Sequence, residues 1–272
     1  MRLFDTFFRS LAAARIGFLC EVAKKVSRIV PIRTEIYFIN LFFLPKGKEL
    51  SVSNETTGRL QKRGLIIDFD YVVLNGIEIV ANAWVEALKH IGMENVSGST
   101  FARYLFGKRA AEGLRGMNGI GDRIPKAQAT AAAAITDGFH AAEPSGPALE
   151  AAKLAIEDGD SVVFLTAHGA DFAEEALRKA GIENPVVVED ESSSICEYSS
   201  ETWTKAIVKT GVPERLCTAC VATAASARTV LLKDVRVIAF PHRIVSFQDY
   251  SGVQMRADAA TPVEEITSFL NS

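Results

Sequence analysis

Two carboxylates stand one residue apart in the stretch GLIIDFDYVV, as Asp68 and Asp70. Side chains alternate along an extended strand, so this pair can converge on one pocket while Phe69 points away from it. A carboxylate is costly inside a dry sheet, and ligands of open α/β sheets bind beyond the carboxyl ends of the strands. The pair therefore predicts an active or binding site at the end of the first strand. The alternative is that the two side chains only anchor a loop.

Short apolar runs alternate with helical stretches from Gly64 to the C-terminus, and this order places the acid pair at a sheet edge. The apolar runs predicted as strands are GLIIDF, SVVFLTAHG, NPVVVED, RLCTACVA and VRVIAF. The helix after the first strand has one apolar face, formed by Ile77, Val80, Ala81, Trp84, Leu88 and Ile91. Strands that alternate with helices are typical of a parallel sheet covered on both faces. We therefore predict an α/β fold with a doubly wound, parallel, Rossmann-like sheet.

The long helical region between the first two strands divides the chain. Residues 78–145 are helical in character up to the break at EPSGP, which indicates a small helical cap inserted after the first core strand. Residues 61–77 and 146–272 then form the core. Residues 1–60 are predicted to be a separate N-terminal extension that ends in a polar linker.

The N-terminal extension is basic and amphipathic. Residues 1–48 contain nine Lys and Arg against three acids, although the whole chain carries a net charge of -3. Phe4, Phe7, Phe8 and Leu11 follow helical spacing. Three interpretations fit this pattern: a loosely packed or disordered extension, an organellar transit peptide, or a helix that makes weak contact with a membrane surface.

Composition excludes several classes of protein. The acidic balance, with a pI of about 5.9, argues against a nucleic-acid-binding protein. No apolar run reaches the roughly 18–20 residues of a transmembrane helix. The four cysteines are scattered, which favours a reducing compartment; we predict a cytoplasmic protein, or an organellar one if the extension is a transit peptide. Cys217 and Cys220 have redox or zinc spacing, but they fall in a predicted strand where such positions face opposite sides.

The order of elements and three stretches of sequence resemble the haloacid dehalogenase-like hydrolase superfamily, in its small-cap branch of phosphoglucomutases and phosphatases. The stretches are IIDFDYVVLNGIEIVANAWVEALKHIGM, ETWTKAIVKTGVPERLCTACVA and RADAATPVEEITSFL. They are similar to the family's opening Asp-x-Asp strand with its cap helix, to the Gly-Val-Pro turn before its fourth strand, and to its closing helix. The resemblance covers Gly64 to Leu270 and implies the same fold.

The resemblance implies phosphoryl transfer on a small phosphorylated metabolite. Asp68 would attack a phosphate ester and become an aspartyl-phosphate, while Asp70 would act as general acid and base. Mg²⁺, held by the same two residues, would neutralise the phosphoryl oxygens. Thr166 in VVFLTAHG would hold a phosphoryl oxygen, unless it caps the helix that follows. Lys108 and Arg109 in FGKRAAEGL would contact substrate from the cap, unless they are solvated surface charges.

The sequence departs from the family pattern at three places. Tyr71 follows Asp70, where the family has a small residue. Glu197 stands at the position of the family's lysine, and Val221 and Ala222 stand where it has acids that complete the metal site. These losses should weaken Mg²⁺ binding and the electrostatic stabilisation of the phosphoryl group.

Two functions are therefore predicted. The first is a hydrolase, a phosphatase or phosphomutase that works through an aspartyl-phosphate. The second is a catalytically inactive pseudo-enzyme that acts as a binding or regulatory protein. The acids Glu189, Asp190 and Glu191 could replace the missing metal ligands, although their position matches an ordinary acidic loop of the family.

Overall fold

The computed structural model describes residues 62–117, 119–192 and 194–272. The chain divides into two units, Met1–Gly58 and Arg59–Ser272, and the described residues belong to the second. The predictions made for residues 1–60 lie outside the described residues.

Parallel strands form a single six-stranded sheet in the order β3-β2-β1-β4-β5-β6. They are β1 (Gly64–Asp68), β2 (Ser161–Thr166), β3 (Val187–Glu189), β4 (Cys217–Val221), β5 (Arg236–Ala239) and β6 (Met255–Arg256). The central strand β1 pairs with β2 on one side and β4 on the other, and it is buried along its whole length. The predicted α/β class and the doubly wound parallel sheet are confirmed, since the chain adds strands outward from β1 in both directions.

Helices fill the connections. Between β1 and the helix that leads into β2 lie α1 (Gly76–His90), α2 (Gly98–Tyr104), α3 (Ala110–Arg115) and α4 (Ile124–Ala141). The remaining helices of the described residues are α5 (Pro147–Glu157), α6 (Ala170–Lys179), α7 (Ser200–Thr210), α8 (Ala224–Leu231) and α9 (Val263–Asn271). Helices α1 to α4 are thus inserted immediately after the first strand, and we call this insertion the cap.

The first cap helix buries the face that its sequence predicts. All six apolar residues of that face are buried, and α1 packs mainly against α4. Pro125 at the start of α4 fits the first turn, where its missing N–H has no helical partner to lose. The pairing of α1 with α4 closes the insertion on itself, so both of its ends lie at the carboxyl edge of the sheet.

No helix of the described residues is both long enough and apolar enough to cross a bilayer.

Candidate active site

A π-helical turn at the carboxyl end of β1 positions the acid pair. This turn spans Phe69–Val73, and Leu74 N–H donates to the Phe69 carbonyl over 3.0 Å. Asp68 caps the turn, because its Oδ1 accepts a hydrogen bond from Tyr71 N–H over 2.8 Å. Such turns are rare and often occur at functional sites. Here the turn carries Asp70 into the interior, since both aspartates have no solvent-exposed surface.

Asp68 lies in a dry environment with one unpaired oxygen. Its Oδ1 is 3.1 Å from the hydroxyl of Tyr198, whereas its Oδ2 is buried without a hydrogen-bond partner among the described residues. Desolvation by burial raises the pKa of Asp68 to about 8, and the charge of Asp70 adds to the rise. The hydrogen bond from Tyr71 opposes these effects but is too weak to reverse them. Burial therefore favours the protonated form of Asp68 at neutral pH.

Asp70 is held by the strand next to β1. The Thr166 hydroxyl donates to its Oδ1 over 2.8 Å, and Ala167 N–H donates to its Oδ2 over 2.6 Å. Burial nevertheless raises the pKa of Asp70 to about 7. Thr166 also accepts a hydrogen bond from His168 N–H, while the N-cap of α6 is Gly169. The structure thus brings together three residues that the sequence singled out, and Thr166 does not cap the following helix.

Two tyrosines close the site over Asp68. The rings of Tyr71 and Tyr198 are 5.5 Å apart and tilted by 39°, and both side chains are buried. The Tyr198 hydroxyl also lies 3.0 Å from the Leu165 carbonyl oxygen. One hydroxyl proton can serve only one of these two oxygens. The Tyr198 hydroxyl is thus placed to donate either to Asp68 Oδ1 or to the Leu165 carbonyl oxygen.

The cap loop that holds Lys108 and Arg109 is hydrogen-bonded to the core by its backbone. Gly107 N–H donates to the Ile195 carbonyl over 2.9 Å, and Ile195 N–H donates to the Lys108 carbonyl over 3.0 Å. Arg109 and Ser194 form an antiparallel bridge. We call this short ladder the clasp.

The clasp does not bring its two basic side chains to the aspartates. Lys108 and Arg109 are both exposed, and the Lys108 ammonium donates to the Arg103 carbonyl over 3.4 Å. Neither residue forms a hydrogen bond or an ion pair with Asp68 or Asp70 in the part of the chain that the structure describes. The site that the sequence predicted therefore assembles around Thr166 and without these two cations.

Two of the three acids after β3 already accept hydrogen bonds. The carboxylate of Asp190 accepts hydrogen bonds from Ser192, Thr202 and the Ser199 backbone, which also lower its pKa. Glu189 accepts from Ala170 N–H over 3.2 Å. Asp190 and Glu189 therefore fix loops and the start of a helix, as an ordinary acidic loop would, while the third acid, Glu191, is exposed at the surface.

The residues present do not fit a Mg²⁺ site. Mg²⁺ needs near-octahedral oxygen ligands and keeps several waters. No group of three or more His, Cys, Asp or Glu side chains suited to a metal occurs among the described residues. A Cβ at position 76 would lie only 2.5 Å from the Asp70 carbonyl oxygen, so the start of α1 passes close to this oxygen. Of the four carboxylate oxygens of Asp68 and Asp70, Oδ2 of Asp68 is the one without a hydrogen bond among the described residues, and its complete burial leaves no room for water.

Sequence reasoning missed the contact of Tyr198 with Asp68. It also did not foresee that Tyr71 closes the site over this aspartate. The family resemblance drew attention to the lysine position, where Glu197 stands half-buried with its pKa raised by desolvation. The neighbouring Tyr198 is the residue that contacts Asp68. A bulky aromatic directly after Asp-x-Asp was the available signal, because such a side chain fills space that a substrate would need.

No family model matches the sequence, and no curated protein matches it. Solved structures match the fold. A haloacid dehalogenase-like family hydrolase from Streptococcus pneumoniae has a TM-score of 0.59 at 11% identity, with 76% of this chain and 98% of that chain covered. For β-phosphoglucomutase from Clostridium difficile the TM-score is 0.57 at 9% identity, with 78% and 98% covered. For CbbY from Rhodobacter sphaeroides, in complex with xylulose-(1,5)bisphosphate, it is 0.56 at 13% identity, with 72% and 94% covered.

This chain therefore has the haloacid dehalogenase-like fold with a small helical cap, as its sequence predicted. At these identities the likeness concerns the backbone architecture. Function has to be argued from the site itself, because one fold supports many activities.

Proposed function

We propose that this chain is a pseudo-enzyme of the haloacid dehalogenase-like fold, which acts as a binding or regulatory protein and does not transfer phosphoryl groups. One observation carries the proposal: Asp68 and Asp70 are completely buried and have no cationic partner among the described residues. A phosphoryl-transfer site needs the opposite, an ionised nucleophile that a charged substrate can reach.

The electrostatics of the site support this proposal. Burial raises the pKa of Asp68 and so favours its protonated form, and a carboxylic acid is a much poorer nucleophile than a carboxylate. A phosphate ester brought beside two aspartates without Mg²⁺ or lysine would be repelled by them once they ionise. Loss of preorganised positive charge removes what is usually the largest contribution to catalysis.

The closed cap supports the proposal independently. A substrate of this site would have to enter between the cap and the core. The clasp joins the two by paired backbone hydrogen bonds, and Phe139 of α4 stacks on His168 of the core with ring centroids 3.8 Å apart. Entry would break both contacts.

A phosphatase or phosphomutase acting on a small phosphorylated metabolite is the second candidate. It is favoured by the hydrogen bonds that join Asp70 to Thr166 and Ala167 at the carboxyl ends of two adjacent strands. In this candidate the cap opens, Asp68 attacks the phosphate and Asp70 exchanges the proton, as the family resemblance implies.

A phosphatase assay separates the two candidates. The full chain is incubated with Mg²⁺ and a panel of small phosphate esters, beside the variants Asp68→Asn and Asp137→Asn, the latter an exposed aspartate of α4. We expect the same background rate for all three proteins, together with no heat of Mg²⁺ binding by calorimetry. A rate that Asp68→Asn removes and Asp137→Asn keeps would refute the pseudo-enzyme proposal.

A further inference from the structure

A histidine of the core forms the N-cap of a short turn that contacts the helical cap. His242 comes directly before the 3₁₀ turn Arg243–Val245, in the loop after β5. Its Nδ1 accepts a hydrogen bond from Ile244 N–H over 3.2 Å, and only 10% of its side chain is exposed. A ring nitrogen can accept only while it carries no proton. The neutral form of His242, with its proton on Nε2, is therefore the form that supports this turn.

The turn contacts two helices of the cap. The guanidinium of Arg243 pairs with Glu78 in the first turn of α1. Ile244 lies against the start of α2, since a Cβ built on Gly98 would be 3.8 Å from its Cγ1. Both contacts are made by residues of the turn that the His242 hydrogen bond stabilises. The protonation state of His242 therefore bears on how this corner of the cap is held.

Burial is the largest influence on the pKa of His242, and it lowers this pKa below its ordinary value of 6.5. Two charged groups also act on the ring. Glu78 raises the pKa, because its Oε2 lies 3.7 Å from Nε2, and Arg243 on the same turn lowers it. The attraction of Glu78 for a protonated ring is thus outweighed.

A cavity of about 450 Å³ lies beside His242, between this turn and the start of the cap. Tyr71 and Asp258 also line it, while the start of α5 contributes no charged residue to it. Burial raises the pKa of Tyr71 well above its ordinary range, so the phenol stays neutral. The Asp258 carboxylate accepts a hydrogen bond within its own loop, from Ala260 N–H over 2.9 Å. His242 is thus the lining residue of a type that ordinarily changes charge between about pH 5 and 8.

We infer that His242 is a pH-sensitive switch, which holds this corner of the cap while it is neutral and loosens it when it is protonated. Protonation adds a second ring N–H, so that Nδ1 and Ile244 N–H become two donors facing each other. The turn then loses its N-cap, and its contacts with α1 and α2 weaken. The clasp is built from other residues, so the cap stays attached there. The inference does not depend on whether the aspartate site is active.

Acid favours the loosened turn. An open turn exposes His242, which then has its ordinary pKa of 6.5, whereas the closed turn holds it at a lower pKa. The open form therefore binds more protons below pH 6.5, and its population can rise by up to about tenfold per pH unit. Above this pH both forms hold a neutral ring, and the closed turn keeps its full stability.

Hydrogen exchange of the full chain at about pH 7.5 and about pH 5.5 tests the switch. The protection factor of the Ile244 amide, which corrects for intrinsic exchange at each pH, should be at least about threefold lower in acid. The amide of Ile67 in the buried strand β1 should not show this loss. Unchanged protection of Ile244 would overturn the inference. An equal loss at Ile67 would also overturn it, because acid would then act through global unfolding.

Two histidine variants assign the effect to one ring. His242→Asn keeps an oxygen that can accept from Ile244 N–H and does not titrate, so it should remove the loss of protection in acid. His140→Asn is the matched control, since His140 is an exposed histidine of α4, and it should leave the loss as in wild type. A loss that persists in His242→Asn would contradict the switch. NMR of the wild-type ring nitrogens provides a test without substitution, because a proton on Nδ1 at about pH 7.5 would contradict it as well.

Discussion

Asp68 shows how burial changes the chemistry of a residue without changing its type. Folding removes its carboxyl group from water, and the raised pKa means that the native state holds a proton that the unfolded chain releases. The Tyr198 hydroxyl lies 3.1 Å from its Oδ1 and donates to it. A side chain that could serve as a nucleophile is therefore kept neutral by its surroundings.

A neutral side chain at this position should stabilise the protein. The native pKa of Asp68 is about 8 against an ordinary value of 3.8, so the free energy of unfolding falls as pH rises through this interval. Asp68→Asn removes this fall in the free energy of unfolding, because asparagine does not ionise. We expect the variant to be more stable than wild type, with a gain that grows by up to about 1.4 kcal/mol per pH unit between pH 6.5 and 8. Urea unfolding across this range measures it.

The same measurement on Asp137→Asn supplies the control. Asp137 is exposed, so its replacement should shift stability little and equally at each pH. The lower limit of pH 6.5 avoids His168, which burial keeps neutral and whose pKa falls to about 4, so that it destabilises the native state only below its ordinary 6.5. A gain for Asp68→Asn that is flat with pH would show that Asp68 is ionised in the native protein.

At this scale, sequence reasoning found the acids and missed their surroundings. Asp68, Asp70 and Thr166 were predictable because strand alternation and parallel pairing bring strand ends together. Tyr198 was not, because its contact with Asp68 spans 130 residues and depends on the path of a loop. Lys108 and Arg109 were placed near substrate by resemblance, whereas the clasp uses their backbone and leaves their side chains exposed.

Among the elements, the cap is fixed to the core at more than one point. Besides the clasp and the Phe139–His168 stack, the guanidinium of Arg243 in the core pairs with Glu78 of α1. These contacts come from different helices and loops, so the loss of any one leaves the others in place. We therefore predict that the cap stays on the core in the native state.

Substitution of Gly107 tests the contribution of the clasp to stability. The φ of Gly107 is +70°, and a Cβ there would lie 2.7 Å from the Glu197 carboxylate. Gly107→Ala should therefore lower stability by about 1 kcal/mol or more and loosen the clasp. Hydrogen exchange of the Gly107 and Ile195 amides should accelerate about tenfold. Both amides are donors in the clasp, which makes them direct reporters of its opening.

Gly159→Ala is the matched control for backbone strain. Gly159 has a φ of +82°, but nothing lies within 4 Å of a Cβ built there. It should lose a similar amount of stability without any change in exchange at the clasp. Equal acceleration in both variants would mean that the clasp opens only with global unfolding and is no separate contact.

Most strands could be predicted from the sequence. Apolar runs predicted β1 to β5 because strands buried on both faces are continuously hydrophobic. Strand β6 has two residues, too few for a pattern. The π-helical turn at Phe69–Val73 was also unpredictable, since the tight packing beside it involves Gly76, where a Cβ would lie 2.5 Å from both the Asp70 carbonyl oxygen and the distant Phe139 ring.

For the molecule as a whole, similarity of fold extends much further than similarity of sequence. The backbone matches phosphatase and phosphomutase structures over more than two thirds of the chain, while identity stays between 9% and 13% in the three described above. A parallel sheet with a cap is maintained by burial of apolar surface, which tolerates many sequences. A phosphoryl-transfer site tolerates few sequences, because each charged group must lie at a defined position.

Magnesium should not stabilise the whole molecule, and thermal unfolding can measure this. A ligand that binds only the native state at ten times its dissociation constant adds about 1.4 kcal/mol, which raises the melting temperature of a chain of this size by about 3–5 °C. We expect no such rise with Mg²⁺, since Asp68 offers one buried unpaired oxygen and no group of three or more His, Cys, Asp or Glu side chains suited to a metal occurs among the described residues. Sodium chloride at equal ionic strength controls for screening, and Asp68→Asn controls for weak binding at surface acids. A rise in the melting temperature of wild type that Asp68→Asn lacks would place a metal ion at this aspartate. It would favour the phosphatase or phosphomutase candidate over the pseudo-enzyme.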